Sequence, residues 1–329
     1  MSERENSIIV DGKGTWAEVS KTPISSSPEV DDRLLKENKP FNIDQFADEL
    51  GLGVEVVKEA IDGLRRKGYN FENSGETYVR GKSARGGNVY DATRRFDGQH
   101  FLFGIVSDKH YCDKQTNEEA VERMYDTFEK EGITTVFDCG DLTAGWKVYH
   151  GQEMELTHFG QDEQIDYVIK SHPRRKGITT FAISGNHDLK EYERGGADPL
   201  VQIEHCRDDI VYLGQLSANV KLTEGVTLEM LHPGGTYPYA LSYKAQRDIN
   251  NRQPNQLPDI LAYGHYHGAF YMYYRGIHFI QAPTFKNQGL WERRMGLNPV
   301  VGGWVVEAAV YGDRIGWFKP QLHTFDRKG

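Results

Sequence analysis

Five apolar runs in this chain stop at the same kind of polar cluster, and that repetition constrains the fold more than any other feature. Residues 178–184 read as a buried strand and lead directly into Gly185-Asn186-His187-Asp188. Residues 105–107 lead into Asp108-Lys109-His110, and residues 135–139 into Gly140-Asp141. Residues 228–231 lead to His232, and residues 261–263 to Gly264-His265-Tyr266-His267. One such ending is ordinary turn chemistry, because Asn and Asp favour turns. Five with one layout put polar side chains at the C-terminal ends of strands, where open α/β sheets bind ligands.

Between these endings, strands and helices alternate. Residues 101–107, 133–139 and 178–184 read as strands. Residues 118–131 place Ala120, Val121, Met124, Tyr125 and Phe128 on one helical face. Residues 162–171 do the same with Ile165, Val168 and Ile169. After Asp209 strands dominate, at 210–213, 220–222, 226–231, 260–263, 270–274, 277–280, 305–311 and 316–319, with one helix at 242–252. This order predicts an α/β fold in which two sheets pack as a β-sandwich flanked by helices.

The first third differs. Residues 1–27 are polar, with Gly12, Gly14 and a Ser-rich stretch before Pro28, and read as a flexible tail in which residues 8–10 could add an edge strand. From Pro28 to Arg80 the order is helix, helix, turn, helix, hairpin. Val30, Leu34 and Leu35 mark the first helix. Phe41, Ile43, Phe46, Ala47 and Leu50 mark the second, with Asn42 as N-cap. After Gly51-Leu52-Gly53, the residues Val54, Val57, Ala60, Ile61 and Leu64 mark the third, which stops at Gly68. The hairpin turns at Ser74-Gly75. This segment resembles the winged helix-turn-helix family, which implies DNA or RNA contact through the third helix. The exposed face of that helix mixes Glu55, Glu59 and Asp62 with Lys58, Arg65 and Arg66, a poor match to phosphates. Lys82, Arg85, Arg94 and Arg95 add cations around the wing. A docking or oligomerisation role stands beside nucleic-acid binding. The expected domains are the tail (1–27), the winged-helix-like segment with its linker (28–97) and a large domain (98–329).

The formal net charge of -9 argues against a protein that coats duplex nucleic acid. It allows an enzyme that touches nucleic acid locally, because bound metal ions reverse the field at a site. No apolar run approaches a membrane span, and the N-terminus lacks the order of a signal peptide. Three scattered cysteines, Cys112, Cys139 and Cys206, form no disulfide framework and suggest the cytoplasm.

Asp-x-His, Gly-Asp, Gly-Asn-His-Asp, a lone His and Gly-His-x-His occur in this order over residues 100–329. Together they resemble the calcineurin-like metallophosphoesterases. Carboxylate, imidazole and amide donors suit manganese, iron, zinc or nickel, and the absence of thiolates argues against a structural zinc site. The resemblance implies two divalent ions, with manganese first among candidates. Asp108, His110 and His267 would hold one; Asn186, His232 and His265 would hold the other; Asp141 would bridge. Such a pair clamps both ends of an in-line displacement at phosphorus. His187 would face the departing oxygen as general acid, and Asp188 would orient it or hold the turn.

Within the superfamily, the Asp-Arg-Gly of the protein Ser/Thr phosphatases is missing, since Leu142-Thr143-Ala144-Gly145 follows Asp141. Gly-Asn-His-Asp and the intact first His look like the DNA-repair nucleases and small prokaryotic or phage phosphodiesterases. The leading expectation is a phosphodiesterase acting on nucleic acid. A hydrolase of a small nucleotide or phosphate ester, and an inactive metal-binding regulator, are the alternatives. His150 and His158 lie in a long polar-aromatic insertion that suits a substrate loop. His100, His172, His205, His278 and His323 are expected at the surface or half-buried.

Overall fold

The computed structural model describes residues 9–10, 16–17, 30–31, 33–34, 37, 40–66, 71–80, 89–96, 99–190, 192–194 and 196–325. The chain divides into two compact units, residues 1–64 with 71–80, and residues 65–70 with 81–329.

In the smaller unit β1 (Ile9–Val10) pairs antiparallel with β2 (Trp16–Ala17). Most of the expected tail lies outside the described residues. So do Leu35 of the first expected helix and Gly68, Lys82 and Arg85. Residues 30, 31, 33 and 34 are helical, and Val30 and Leu34 are buried. β3 (Phe41–Asn42) runs into α1 (Ile43–Leu50), where the Asn42 side chain accepts from the backbone of Asp44 and Gln45. Gly51 ends α1 in the left-handed region, at φ 65°, which glycine adopts without strain. α2 (Val54–Arg66) follows. β4 (Phe71–Ser74) and β5 (Thr77–Arg80) form the hairpin, and β3 pairs with β5 to give the order β3-β5-β4. Ile43, Phe46, Ala47, Val57, Ala60, Ile61, Leu64 and Phe71 are buried.

The larger unit has two six-stranded sheets. β6 (Val89–Asp91) lies inside the expected linker yet forms an edge strand of the second sheet. The first sheet is built on β7 (His100–Val106), β8 (Thr135–Asp138), β9 (Thr179–Ser184) and β10 (Ile210–Gln215), all parallel. Helices α3 (Glu118–Lys130), α4 (Gln161–Ser171) and α5 (Pro199–Cys206) lie along this part of the chain. The second sheet takes β11 (Ser217–Lys221), β12 (Thr227–Leu231), β13 (Ile260–Tyr263), β14 (Phe270–Tyr274) and β15 (Ile277–Gln281), with α6 (Leu241–Asn251) between β12 and β13. After α7 (Leu290–Arg294), β16 (Gly302–Tyr311) and β17 (Arg314–Thr324) return to the first sheet. The orders are β10-β9-β8-β7-β16-β17 and β14-β15-β13-β12-β11-β6.

Strand alternation explains the layers, because successive side chains point to opposite faces. Phe101, Phe103 and Ile105 of β7 enter the core between the sheets, with Phe137, Phe181, Leu228, Met230, Ala262 and Ile280. Val106, Val136 and Ala182 face the other way, against Val121, Met124 and Phe128 of α3, Val168 of α4 and Ile203 of α5. Leu261, Tyr263 and Phe279 pack on Ala245 and Ile249 of α6. The expected sandwich flanked by helices is the observed one.

Three details differ from expectation, whereas His278 is as exposed as expected. α5 was not anticipated, although its start is signalled by the Asp198 N-cap and Pro199 in the first turn. Arg95 serves the larger unit rather than a wing. It donates to Thr135 Oγ1 and Thr134 O and lies 5.0 Å over the Phe181 ring. His172 is buried rather than at the surface, within 3.3 Å of the Tyr125 hydroxyl. His278 is half-buried, stacked 4.1 Å from Phe318, and its Nδ1 accepts from the Tyr271 hydroxyl.

Burial pushes the His278 imidazole from 6.5 down to about 4. The unfolded chain therefore binds more protons there between those pH values. Stability from this residue is complete above pH 6.5 and is lost as pH falls toward 4. His278→Phe is expected to flatten this acid limb, which melting temperatures between pH 4 and 7 would reveal.

Candidate metal centre

The five strand ends converge. Asp108 and His110 follow β7, and Asp141 follows β8. Asn186 and His187 follow β9, His232 follows β12, and His265 and His267 follow β13. Five of these residues take left-handed backbone conformations rare for non-glycine residues: Asp108 (φ 52°), His110 (48°), Asp141 (55°), His265 (75°) and His267 (52°). Each such conformation costs on the order of 1–3 kcal/mol, and such strain clusters at functional sites. Close approach also dictates two glycines. A Cβ at Gly185 would run into the Asp141 carboxylate, and one at Gly264 would meet Ser107 Oγ and come within 2.5 Å of the Cys139 carbonyl.

Three groups of possible ligand atoms lie within 4.8 Å of one another: Asp108–His110–His267, His110–Asp141–His187 and Asp141–His232–His265. The first holds the residues expected of one ion, and the third holds His232 and His265 of the other together with Asp141. Asp141 Oδ2 lies 3.9 Å from His110 Nε2 and 3.2 Å from His232 Nε2, so one carboxylate oxygen stands between the groups. Asn186 Oδ1 is 3.1 Å from His232 Nε2, which brings the amide to the third group.

These residues fit a pair of divalent ions. Asp108 Oδ1 is buried and has no hydrogen-bond partner. Nε2 atoms of His267 and His110 stand 3.3 and 3.6 Å from it, and 2.9 Å from each other. An orphaned buried carboxylate oxygen facing two imidazole nitrogens is the donor arrangement a cation satisfies. Burial pushes the Asp108 carboxyl up, and the imidazoles of His110 and His267 outweigh it and hold it well below its usual range. Asp141 behaves likewise, with the positive charge of His232 overcoming its burial. His232 is correspondingly lifted to about 10, because Asp141 outweighs the effect of burial.

Backbone carbonyls aim the rings. His232 Nδ1 donates to Cys139 O at 2.7 Å, leaving Nε2 for the centre. His265 Nε2 donates to Gly235 O at 2.7 Å, leaving Nδ1. His187 Nδ1 donates to Ala144 O at 2.7 Å, leaving Nε2. Fixing one ring nitrogen in this way sets the tautomer of a ligating or proton-transferring histidine. Sequence reading missed these carbonyls, since no local pattern marks a long-range acceptor. Ala144 O also accepts from the buried Gln152, and Gln164 holds both backbone groups of Gly145. The insertion is thus clamped behind His187. The His158 ring lies tilted against Tyr167 at 4.6 Å, and the cavity over the centre is lined by neither His158 nor His150.

Asp188 is spent on the backbone. Its carboxylate accepts from Leu142 N, Gly185 N, Thr143 N and Thr143 Oγ1 at 2.8–3.1 Å, and none of these bonds goes to His187. Of its two expected roles, holding the turn is the one these contacts serve. Cys112 is buried, and burial pushes its thiol up to about 12, which suits no nucleophile.

The calcineurin-like phosphoesterase superfamily domain model matches residues 101–289, and the chain belongs to that superfamily. It is a metal-dependent phosphoesterase. Solved structures similar to it include an archaeal phosphodiesterase (TM-score 0.39, 13% identity, covering 68% of this chain and 100% of that one). The phosphoesterase Yfce from E. coli has TM-score 0.35 and 16% identity, covering 67% of this chain and 98% of that one. Zinc-complexed Vps29 from Entamoeba histolytica has TM-score 0.32 and 14% identity, covering 69% and 100%. No curated protein sequence matches.

Behind the centre lies a buried ion pair that the motifs alone do not reveal. Lys109 Nζ meets Asp138 Oδ2 at 2.5 Å, with both side chains out of water. Removing one partner strands the other's charge, which costs about 3–5 kcal/mol. Lys109→Met is expected to lose that much in denaturant unfolding, and the double change with Asp138→Leu to recover much of it.

Proposed function

We propose that this protein hydrolyses phosphodiesters of nucleic acid with two divalent metal ions. Asp108, His110 and His267 would hold the first ion, Asn186, His232 and His265 the second, and Asp141 would be shared. The observation that carries this reading is the Asp141 carboxylate shared by two ligand groups beside a histidine whose free Nε2 faces the same space. When bound, the ions polarise the phosphoryl oxygens and make water nucleophilic at neutral pH. Oxygen and nitrogen donors suit manganese, iron or zinc, and manganese is the first to test.

The chain's own groups do the rest. His187 lines the cavity and is anchored through Nδ1, so Nε2 meets the departing oxygen. Burial, aided by His110 and opposed by Asp141, brings its pKa down to about 3. At rest it is neutral. As the anionic phosphate binds beside it, Nε2 takes up a proton from solvent and passes it to the leaving oxygen, a step worth about 10²–10⁴-fold. Asp188 keeps the Gly140 and Gly185 turns together.

The nucleic-acid preference is supported by the order of the smaller unit. Helix, helix, hairpin is the element order that the winged-helix reading of residues 28–80 calls for, and β3, β5 and β4 form one sheet there. A small nucleotide or phosphate ester is the second reading, favoured by the exposed Glu55, Glu59 and Asp62 on α2; the smaller unit then serves assembly. Three free thiols suit a reducing cytoplasm. Among the described residues no helix is long and apolar enough to cross a membrane.

Manganese-loaded protein is expected to hydrolyse bis-p-nitrophenyl phosphate and single-stranded DNA faster than p-nitrophenyl phosphate. Turnover of the monoester alone would refute the diester reading. His187→Asn is expected to keep both metals and lose at least 10²-fold in kcat. Asp141→Asn is expected to lower metal content, and full occupancy in that variant would contradict the bridging assignment.

A further inference from the structure

A cavity of about 370 Å³ opens directly over the centre, with Asp141, His187, His265 and His267 in its lining. That is near the lower end of the volumes that enclose small organic ligands, roughly 300–1,000 Å³. A phosphoryl group held by the metals would lie at this end. Whatever is esterified to it extends along the opposite walls, which are mostly apolar: Tyr237, Tyr266, Met295, Leu297 and Pro299. Tyr237 and Met295 remain 37% and 61% exposed, so large apolar surfaces stay uncovered at the cavity.

The charge of the walls is equally informative. Among the described residues the lining contains no Lys or Arg. Its one carboxylate away from the metals, Glu292, is paired with Lys286 at 2.8 Å. The nearby Lys244 ammonium donates to Thr236 O and lies 4.6 Å over the Tyr266 ring, so it steadies the wall. A second phosphate would find only Lys244, already spent on the Thr236 carbonyl and the Tyr266 ring, whereas an uncharged planar ring would find aromatic and thioether surfaces. Thr236 and Asn298 add polar groups able to meet the edge of such a ring.

We propose that this cavity is a subsite for one unpaired nucleobase adjoining the scissile phosphate. The inference rests on the diester reading above and narrows its substrate toward single-stranded or frayed nucleic acid, because drawing a base out of a duplex costs unpairing and unstacking energy that an unpaired base does not. Aromatic side chains stack with any base, because every base has a π-face.

The test is binding rather than turnover. Manganese-loaded protein is titrated calorimetrically with thymidine 5′-monophosphate, thymidine 3′-monophosphate and methyl phosphate, which present the same phosphate with and without a base. At least one nucleotide is expected to bind tenfold or more tighter than methyl phosphate. Tyr237→Ala and Met295→Ala, both at exposed positions, are each expected to cut that advantage at least threefold while methyl phosphate binds as before. Equal affinity for all three ligands overturns the proposal, as does binding of none of them at millimolar concentration. Variants that weaken methyl phosphate and nucleotides alike overturn it too. A retained nucleotide advantage in a protein that cleaves no diester would refute the diester reading and leave the base subsite standing.

Discussion

Holding two carboxylates out of water is the constraint on which the rest of this structure depends. Asp108 and Asp141 are almost completely buried, and an uncompensated buried charge costs several kcal/mol. Compensation comes from histidines far away in sequence, so the sheets must bring distant strand ends within a few ångströms. The left-handed backbone at Asp108, His110, Asp141, His265 and His267 follows from that demand. No local preference of Asp or His would produce it five times. The sandwich core supplies the rigidity that keeps such strained loops in place.

The parts of the molecule that could be read in the chain share one property: their signals are local. A buried strand ending in Gly-Asn-His-Asp declares both its period and its polar terminus within a few residues. Asn42 and Gly51 bracket α1 for similar reasons. Where the reading fell short, the deciding contact was distant. Arg95 looks like a surface cation until Phe181 and Thr135 are brought beneath it. His172 is polar in sequence and buried in space, held near Tyr125. β6 is three residues with exposed ends, too short to show a period, and it is defined by pairing with β11. α5 is the exception, since Asp198-Pro199 is a local start signal that its weakly periodic eight residues obscured.

The same division applies to the centre. The identities of Asp108, His110, Asp141, Asn186, His232, His265 and His267 could be collected from the strand ends. The carbonyls of Cys139, Ala144 and Gly235, which decide which nitrogen each ring presents, could not. Asp188 illustrates the limit. Its place in the motif suggests a partner for His187, yet its oxygens tie the Gly140 turn to the Gly185 turn.

Lys286 adds one more connection. Its buried ammonium meets Asp113, just beyond the first ligand loop, and Glu292 on α7, each at 2.8 Å. The wall from Glu292 to Pro299 is therefore fastened electrostatically to the segment that carries Asp108 and His110. Anyone recasting that wall to accept a different ester would have to leave Glu292 untouched, or shift the metal ligands along with the specificity.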